Sequence, residues 1–174
     1  MSFSVRLLLI VILIIFPLQK VLANAKEYST LELRHVVGNW QVETAFLAPD
    51  GSIANQASGT YEFSWVVEDK VLIGKTAIPS FEMAAGILFY INEQQQKIEM
   101  VSVGGDGRLW VMSGALGGDS RTTDTFPTQD GGTQQLRFTR YNVKPDRFES
   151  KMEYTTDQGQ TWIQGNHQVF VRQK

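Results

Sequence analysis

The chain has no cysteine. No disulfide can staple it, no thiol can serve as nucleophile or metal ligand, and no cysteine is available for lipid attachment near the N-terminus. Histidine is almost as scarce, with His35 and His167 the only two. Two imidazoles, with no His-x-His pair and no carboxylates at ligand spacing, do not make a zinc site, so no metal is assigned. Runs of like charge are missing too. The 16 Lys and Arg are dispersed among 18 Asp and Glu, for a net charge of −2. A nucleic-acid surface would cluster its basic residues, and that class of partner is excluded. Neither Gly-x-Ser-x-Gly nor a recognisable Ser-His-Asp order occurs, so no catalytic residue is assigned. Gly104-Gly105-Asp106-Gly107 lacks the lysine and following helix of a phosphate loop and reads as a hairpin turn.

One long apolar run is present, Leu7 to Phe16, preceded by Arg6. Pro17, Gln19 and Lys20 interrupt it well before the roughly 20 residues a membrane helix needs. Small residues in Val21-Leu22-Ala23-Asn24-Ala25 complete the pattern of a secretory leader. The reading is a signal peptide over 1–25, cut after Ala25 or alternatively Ala23, with an uncleaved anchor as the competing interpretation. Arg6 and Lys20 leave with it and no acid does, so 14 basic side chains face 18 acidic ones in the mature chain. The expectation is a periplasmic or secreted protein of mildly acidic surface, a single domain over 26–174, with no stable membrane span after cleavage. Its oligomeric state is left open.

Lys26 to Val37 is the one mature stretch with a helical turn in it. Ser29 or Thr30 could cap it, and Leu31, Val36 and Val37 could seal something apolar. Thereafter short alternating segments end in turn signals about ten times over. Trp40, Val42, Thr44 and Phe46 share a face before Pro49-Asp50-Gly51-Ser52. Tyr61, Phe63, Trp65 and Val67 alternate with Thr60, Glu62 and Ser64, and Val71 to Ile78 follows Glu68-Asp69-Lys70. Ala85 to Ile91 is nearly all apolar, so both its faces are candidates for cover. Ile98, Met100 and Ser102 alternate with Lys97 and Glu99, and further strands are read over Leu109 to Leu116 and Arg121 to Phe126. Leu136, Phe138 and Arg140 share a face, as do Phe148, Ser150, Met152 and Tyr154, and Thr161 to Arg172 closes the series.

Connections this short cannot host the crossovers of a parallel sheet. An all-β, up-and-down antiparallel meander follows, closed into a barrel of about 8–10 strands, with a two-sheet sandwich as the alternative. Such a barrel has room inside for side chains and one small ligand.

Two short motifs mark the ends. Gly38-Asn39-Trp40 resembles the Gly-x-Trp signature of lipocalins, in which the tryptophan plugs one end of the barrel and a late arginine lies across it. By that resemblance Trp40 and Arg172 are the barrel-closure pair. Thr155-Thr156-Asp157-Gln158-Gly159-Gln160-Thr161-Trp162 fits the Asp-box hairpin pattern, with Asp157-Gln158-Gly159 where Asp-Gly-Gly is usual. One copy in so short a chain is a turn device and not a sialidase propeller. Together with the export signal and the terminal Phe170-Val171-Arg172, these residues resemble a domain-of-unknown-function family of bacterial exported, lipocalin-like proteins of calycin type. The resemblance spans roughly residues 30–174, carries motifs only at its two ends, and implies a fold without an established activity.

Parity places Phe46, Tyr61, Phe63, Trp65, Met100, Phe138, Arg140, Phe148, Met152 and Tyr154 inside as candidate cavity residues. Arg140 is the one charge sharing parity with apolar neighbours. Inward Thr44, Thr76, Ser102 and Ser150 favour a cavity, since a dry core prefers apolar residues, yet the same list also describes a filled core. The favoured function is binding of a small, largely apolar molecule without cofactor. Two alternatives stand beside it. One is a cyclase- or isomerase-type enzyme confined in the barrel and using Arg140, Tyr61 or Tyr154. The other is a haem-binding barrel using His167 on the last strand, against the competing reading that His167 points outward or bonds a neighbouring turn.

Overall fold

Alternation dominates the backbone. In the computed structural model, which describes Val21 and residues 23–174, eleven strands form in chain order. They are β1 (Gly38–Leu47), β2 (Ile53–Val67), β3 (Val71–Ile78), β4 (Met83–Asn92), β5 (Lys97–Gly104), β6 (Leu109–Ala115), β7 (Ser120–Thr123), β8 (Phe126–Pro127), β9 (Thr133–Lys144), β10 (Arg147–Thr155) and β11 (Ile163–Arg172). The leader expected over residues 1–25 lies, except for Val21 and residues 23–25, outside the described residues. Among the described residues no helix is long and apolar enough to cross a membrane.

Ten of these strands make one antiparallel meander that closes on itself. Each pairs with its neighbour in sequence, β11 returns to pair with β1, and β7 pairs directly with β9. A barrel, and not a sandwich, is the result, because no strand edge of the meander is left to cross over. The two-residue β8 stands aside and pairs only with the start of β9, Phe126 facing Gln134. The strand expected from Arg121 to Phe126 is thus two pieces, broken at Asp124-Thr125. The closure is thinnest there, with only Met112–Thr123 and Ser113–Thr122 paired between β6 and β7.

Register determines which side chains point inward. Trp40, Val42 and Thr44 are buried on β1, and their β11 partners are Arg172, Phe170 and Gln168. A bulge between Trp65 and Val67 takes Val67 out of the inward series, and it is exposed instead. In β4 the two faces are covered unequally: Phe89 is buried with Ile87 and Ile91 half-buried beside it, while Gly86 is exposed and Leu88 half-buried on the other. The core runs from Leu33 and Val36 through Trp40, Val42, Phe63, Leu72, Phe89, Ile98, Met100 and Met112 to Phe148 and Phe170.

Residues 23–36 are helical, a longer helix than the single turn the sequence suggests. Leu33 and Val36 face the barrel with Ser29 and Glu32, a spacing of three and four that puts all four on one side. Leu31, expected to seal, falls on the other side and is exposed. Ser29 lies inside the helix and does not cap it; its hydroxyl accepts from the Gly117 N–H at 3.0 Å. Every strand-to-strand loop at that end of the barrel is tied to this helix. Arg34 donates to Asp69 at 2.6 and 2.5 Å, and Lys26 pairs with Glu93 at 2.9 Å. The Tyr28 hydroxyl donates to Asp119 at 2.7 Å, and His35 Nε2 bonds the Lys144 carbonyl at 2.7 Å. The helix is the floor of the barrel.

Candidate functional site

Above this floor the barrel holds a cavity of about 190 Å³. Its wall is apolar, made chiefly of Phe63, Phe89, Met100, Met112, Phe138 and Phe170, with Leu33 and Val36 below. An engineered cavity of roughly 150 Å³ is enough to admit benzene, so this space suits a single ring or a chain of similar bulk.

Seven of the ten side chains that parity selects line this cavity: Tyr61, Phe63, Met100, Phe138, Arg140, Phe148 and Met152. The other three do not. Trp65 packs against the core beside the cavity, opposite the fully buried Leu72. Phe46 sits at the end away from the helix, its ring 5.4 Å from that of Phe81. Tyr154 pairs in register with Leu136 and Ile163 at that same end. The cavity's lining also includes Trp110, which shares a register row with Ser102 and which alternation alone did not single out.

The polar residues on the inner face are largely accounted for by one side chain, Gln168. Its Nε2 donates to Thr44 Oγ1 and to the Tyr61 hydroxyl, both at 3.1 Å, and its Oε1 accepts from Ser150 Oγ at 3.2 Å. Thr44 and Ser150 are therefore satisfied within the wall and are not free for a ligand. Burial raises the Tyr61 phenol above its ordinary pKa, against the opposing effect of the Gln168 bond. Ser102 remains on the lining.

Among the described residues, charge enters the cavity only at its floor. Glu32 and Arg140 both line it, and Arg121 lies just behind, its Cζ 5.6 Å from the centre of the Phe89 ring. Arg121 is 0% exposed and Glu32 5%. Arg121 Nη2 donates to both Glu32 oxygens, at 2.7 and 2.6 Å. Arg140 is 4% exposed and its Nη2 lies 2.7 Å from His35 Nδ1. His35 Nε2 is at the same time held by the Lys144 carbonyl, which can only accept. The ring therefore donates from Nε2, and Nδ1 accepts from Arg140. Burial first, then the nearby charges of Arg140 and Arg172, depress the His35 pKa, so the neutral ring is the favoured form. Burial also lowers the pKa of Arg140, with Glu32 opposing that effect.

The structure brings Trp40 and Arg172 together at the rim of this floor. The Arg172 Cζ lies 4.2 Å from the centre of the indole, and the guanidinium donates to the carbonyls of Val37 at 2.7 Å and His35 at 2.5 Å. Trp40 Nε1 donates to the Val36 carbonyl at 2.8 Å. Gly38 makes the crossing possible. Its φ is +118°, and a Cβ there would stand 2.7 Å from Arg172 Nη1.

His167 lies elsewhere. It alternates with the inward Gln168, and Nε2 is 3.1 Å from Glu149 on the outer wall, with the ring stacked 6.2 Å from Tyr141. The haem-ligand role considered for it needs an inward imidazole, and the strand's two-residue period turns it outward. The histidine at the cavity floor is His35. Among the described residues no group of three or more His, Asp or Glu side chains could hold a metal ion.

The Asp-box hairpin lies at the other end of the barrel. Asp157 accepts from the Thr161 amide at 2.9 Å and from the hydroxyls of Thr155 and Thr161, and Gly159 N–H donates to Thr155 Oγ1 at 3.0 Å. The Trp162 ring carries the Arg137 guanidinium at 4.0 Å and does not reach the cavity.

No family model matches the chain, and no curated protein matches it by sequence. Solved structures match it by shape. An S-type phycobiliprotein lyase, CPES, from Guillardia theta aligns with TM-score 0.48 at 11% identity, over 82% of this chain and 90% of that one. A protein of unknown function from the DUF3598 family of Nostoc punctiforme aligns with TM-score 0.46 at 12% identity, over 81% of this chain but only 49% of its own length. A third, EF1p2_mFAP2b bound to DFHBI, aligns with TM-score 0.40 at 14% identity, over 80% and 95% of the two chains. Likeness of this degree carries nothing about ligand or activity.

Proposed function

We propose that this chain is an exported, non-enzymatic barrel that binds one small, largely apolar molecule, in the periplasm or after secretion. The observation that supports it is the cavity of about 190 Å³ between the helical floor and the aromatic wall. Voids of this size are few in folded domains, because each unfilled volume forfeits contacts, and a bound molecule would restore them. The export component rests on Arg6, the Leu7–Phe16 run and the small residues ending at Ala25. The side chains that tie the helix to the barrel loops, Lys26 to His35, all lie beyond that expected cut.

Binding is tested by thermal unfolding of the purified protein with benzene or indole. Ligand that binds only the folded state raises the midpoint in proportion to the logarithm of its concentration above Kd. The expected result is a concentration-dependent rise that is lost in Ser102→Trp, whose indole would occupy the cavity, while the unliganded midpoint of that variant holds. No rise with either compound overturns the reading. Mass spectrometry of protein from a periplasmic fraction, giving a chain that begins at Lys26, tests the export component separately.

A further inference from the structure

The floor of the cavity carries more positive charge than it offsets. Three buried charged side chains meet there: Glu32, Arg121 and Arg140. Glu32 gives both of its oxygens to Arg121. Arg140 has no carboxylate within ion-pair distance among the described residues; its side chain bonds only the neutral His35 imidazole. Asp119 lies close enough to bear on the charge of Arg140, but it is half-exposed, and its Oδ1 accepts from the Tyr28 hydroxyl. Arg140 Nε is fully buried with no acceptor among the described residues, as are Nε and Nη1 of Arg121 behind it.

A guanidinium 4% exposed, without a counter-charge, is costly in an apolar setting. The Phe148 face, with its centre 5.1 Å from the Arg140 Cζ, returns only part of that cost. A ligand anion would return more, since a charge-assisted bond from guanidinium to carboxylate is about twice as strong as a neutral one. Resting on the proposed binding role, we infer that the cavity's ligand is a small monocarboxylate whose apolar ring or short chain lies among Phe63, Met100 and Phe138 and whose carboxylate accepts from Arg140 at the floor. The Glu32 carboxylate does not repel it decisively, because Arg121 already offsets that charge.

The geometry also limits the ligand's bulk. About 190 Å³ holds one ring or a chain of comparable size, so a long-chain fatty acid or a polycyclic acid would require the wall to move.

The test compares isosteric acid and amide pairs, benzoate against benzamide and hexanoate against hexanamide, by calorimetric titration of the purified protein at pH 7. The expected result is that at least one acid binds roughly ten- to a hundredfold more tightly than its own amide. In Arg140→Gln the preference should fall to near unity by loss of acid affinity alone, and Arg140→Lys should recover part of it. If an acid and its amide bind the native protein equally, the carboxylate inference is overturned while the cavity-binding role stands. If none of the four compounds binds, the carboxylate inference falls, and the benzene and indole titrations decide the binding role separately. The comparison on the native protein decides the matter even if an Arg140 variant does not fold.

Discussion

Arg172 lies across the face of Trp40, 4.2 Å from guanidinium carbon to ring centre, and the same guanidinium grips the carbonyls of His35 and Val37. One side chain therefore joins the last strand, the first strand and the C-terminal end of the helical floor. Trp40 is 0% exposed beneath it. Arg172→Met keeps the apolar cover but loses the carbonyl bonds and the cation over the indole. The expected loss is about 2–4 kcal/mol of unfolding free energy, from charge-assisted bonds plus the cation–π contact. Denaturant titration measures it. Arg172→Lys should recover little, because one ammonium cannot span two carbonyls and lie flat on a ring; full recovery would show that charge alone suffices.

The Glu32–Arg121 pair gives a sharper test of the floor. Both partners are buried, and Arg121 still has two nitrogens without acceptors among the described residues. Glu32→Gln removes the only carboxylate Arg121 pairs with among the described residues and should cost about 3–5 kcal/mol, the usual effect of stranding a buried charge. Replacing both, Glu32→Met with Arg121→Met, should cost much less than the sum of the two single changes. A double-mutant cycle by denaturant unfolding reads the difference. Additive losses would mean that the two side chains are not coupled as the 2.6 Å contact implies.

The contrast between these two clusters shows what was legible in the chain. The barrel was readable because alternation with period two survives translation into a sheet: Leu136, Phe138 and Arg140 share a parity, and β9 turns Phe138 and Arg140 into the cavity. Arg140 could be named on that ground. Arg121 could not. It sits on the four-residue β7, where too few apolar neighbours establish a face, and its partner Glu32 lies on a helix 89 residues away. Gln168 escaped for a related reason. A glutamine on a strand reads as an outer-wall residue until Thr44, Tyr61 and Ser150 are found around it. Bulges are equally silent in composition: alternation puts Val67 on the face of Trp65, and the bulge between them leaves it exposed. Periodicity reports faces; it does not report which distant side chains will meet.

Acid unfolding should depend on Asp157. Bonds from the Thr155 and Thr161 hydroxyls and the Thr161 amide pull its pKa down from 3.8 to about 2. The folded state thus holds the ionised form more strongly than the unfolded chain does. Stability from this turn is fully present above pH 3.8 and is lost as the pH falls from there towards about 2. Asp157→Asn should lower stability at neutral pH and flatten the pH dependence across that window. Urea midpoints of the two proteins between pH 5 and pH 2, a range of roughly the two pKa values and their margins, test it. Parallel curves would exclude Asp157 as the titrating group.

Gly74 is the position where the cavity's shape can be changed from outside its lining. It pairs in register with Phe63 on β2 and Ile87 on β4, two residues of the cavity wall. A Cβ on Gly74 would stand 2.4 Å from the Phe63 ring, so the ring lies in the space a side chain would take. Glycine inside a strand often marks such a close approach. Gly74→Ala must therefore displace the Phe63 ring, which lines the cavity and lies 6.0 Å centre to centre from Phe89. The expected stability loss is about 1–3 kcal/mol, typical of an added methyl in a packed core. Benzene or indole affinity should fall at the same time, because the displaced ring moves into the space the ligand uses. Gly74→Ala combined with Phe63→Leu should recover stability, since the smaller side chain yields the room. Thermal midpoints with and without ligand separate the two effects. Unchanged affinity in the destabilised single variant would mean that Phe63 yields in some direction other than the cavity.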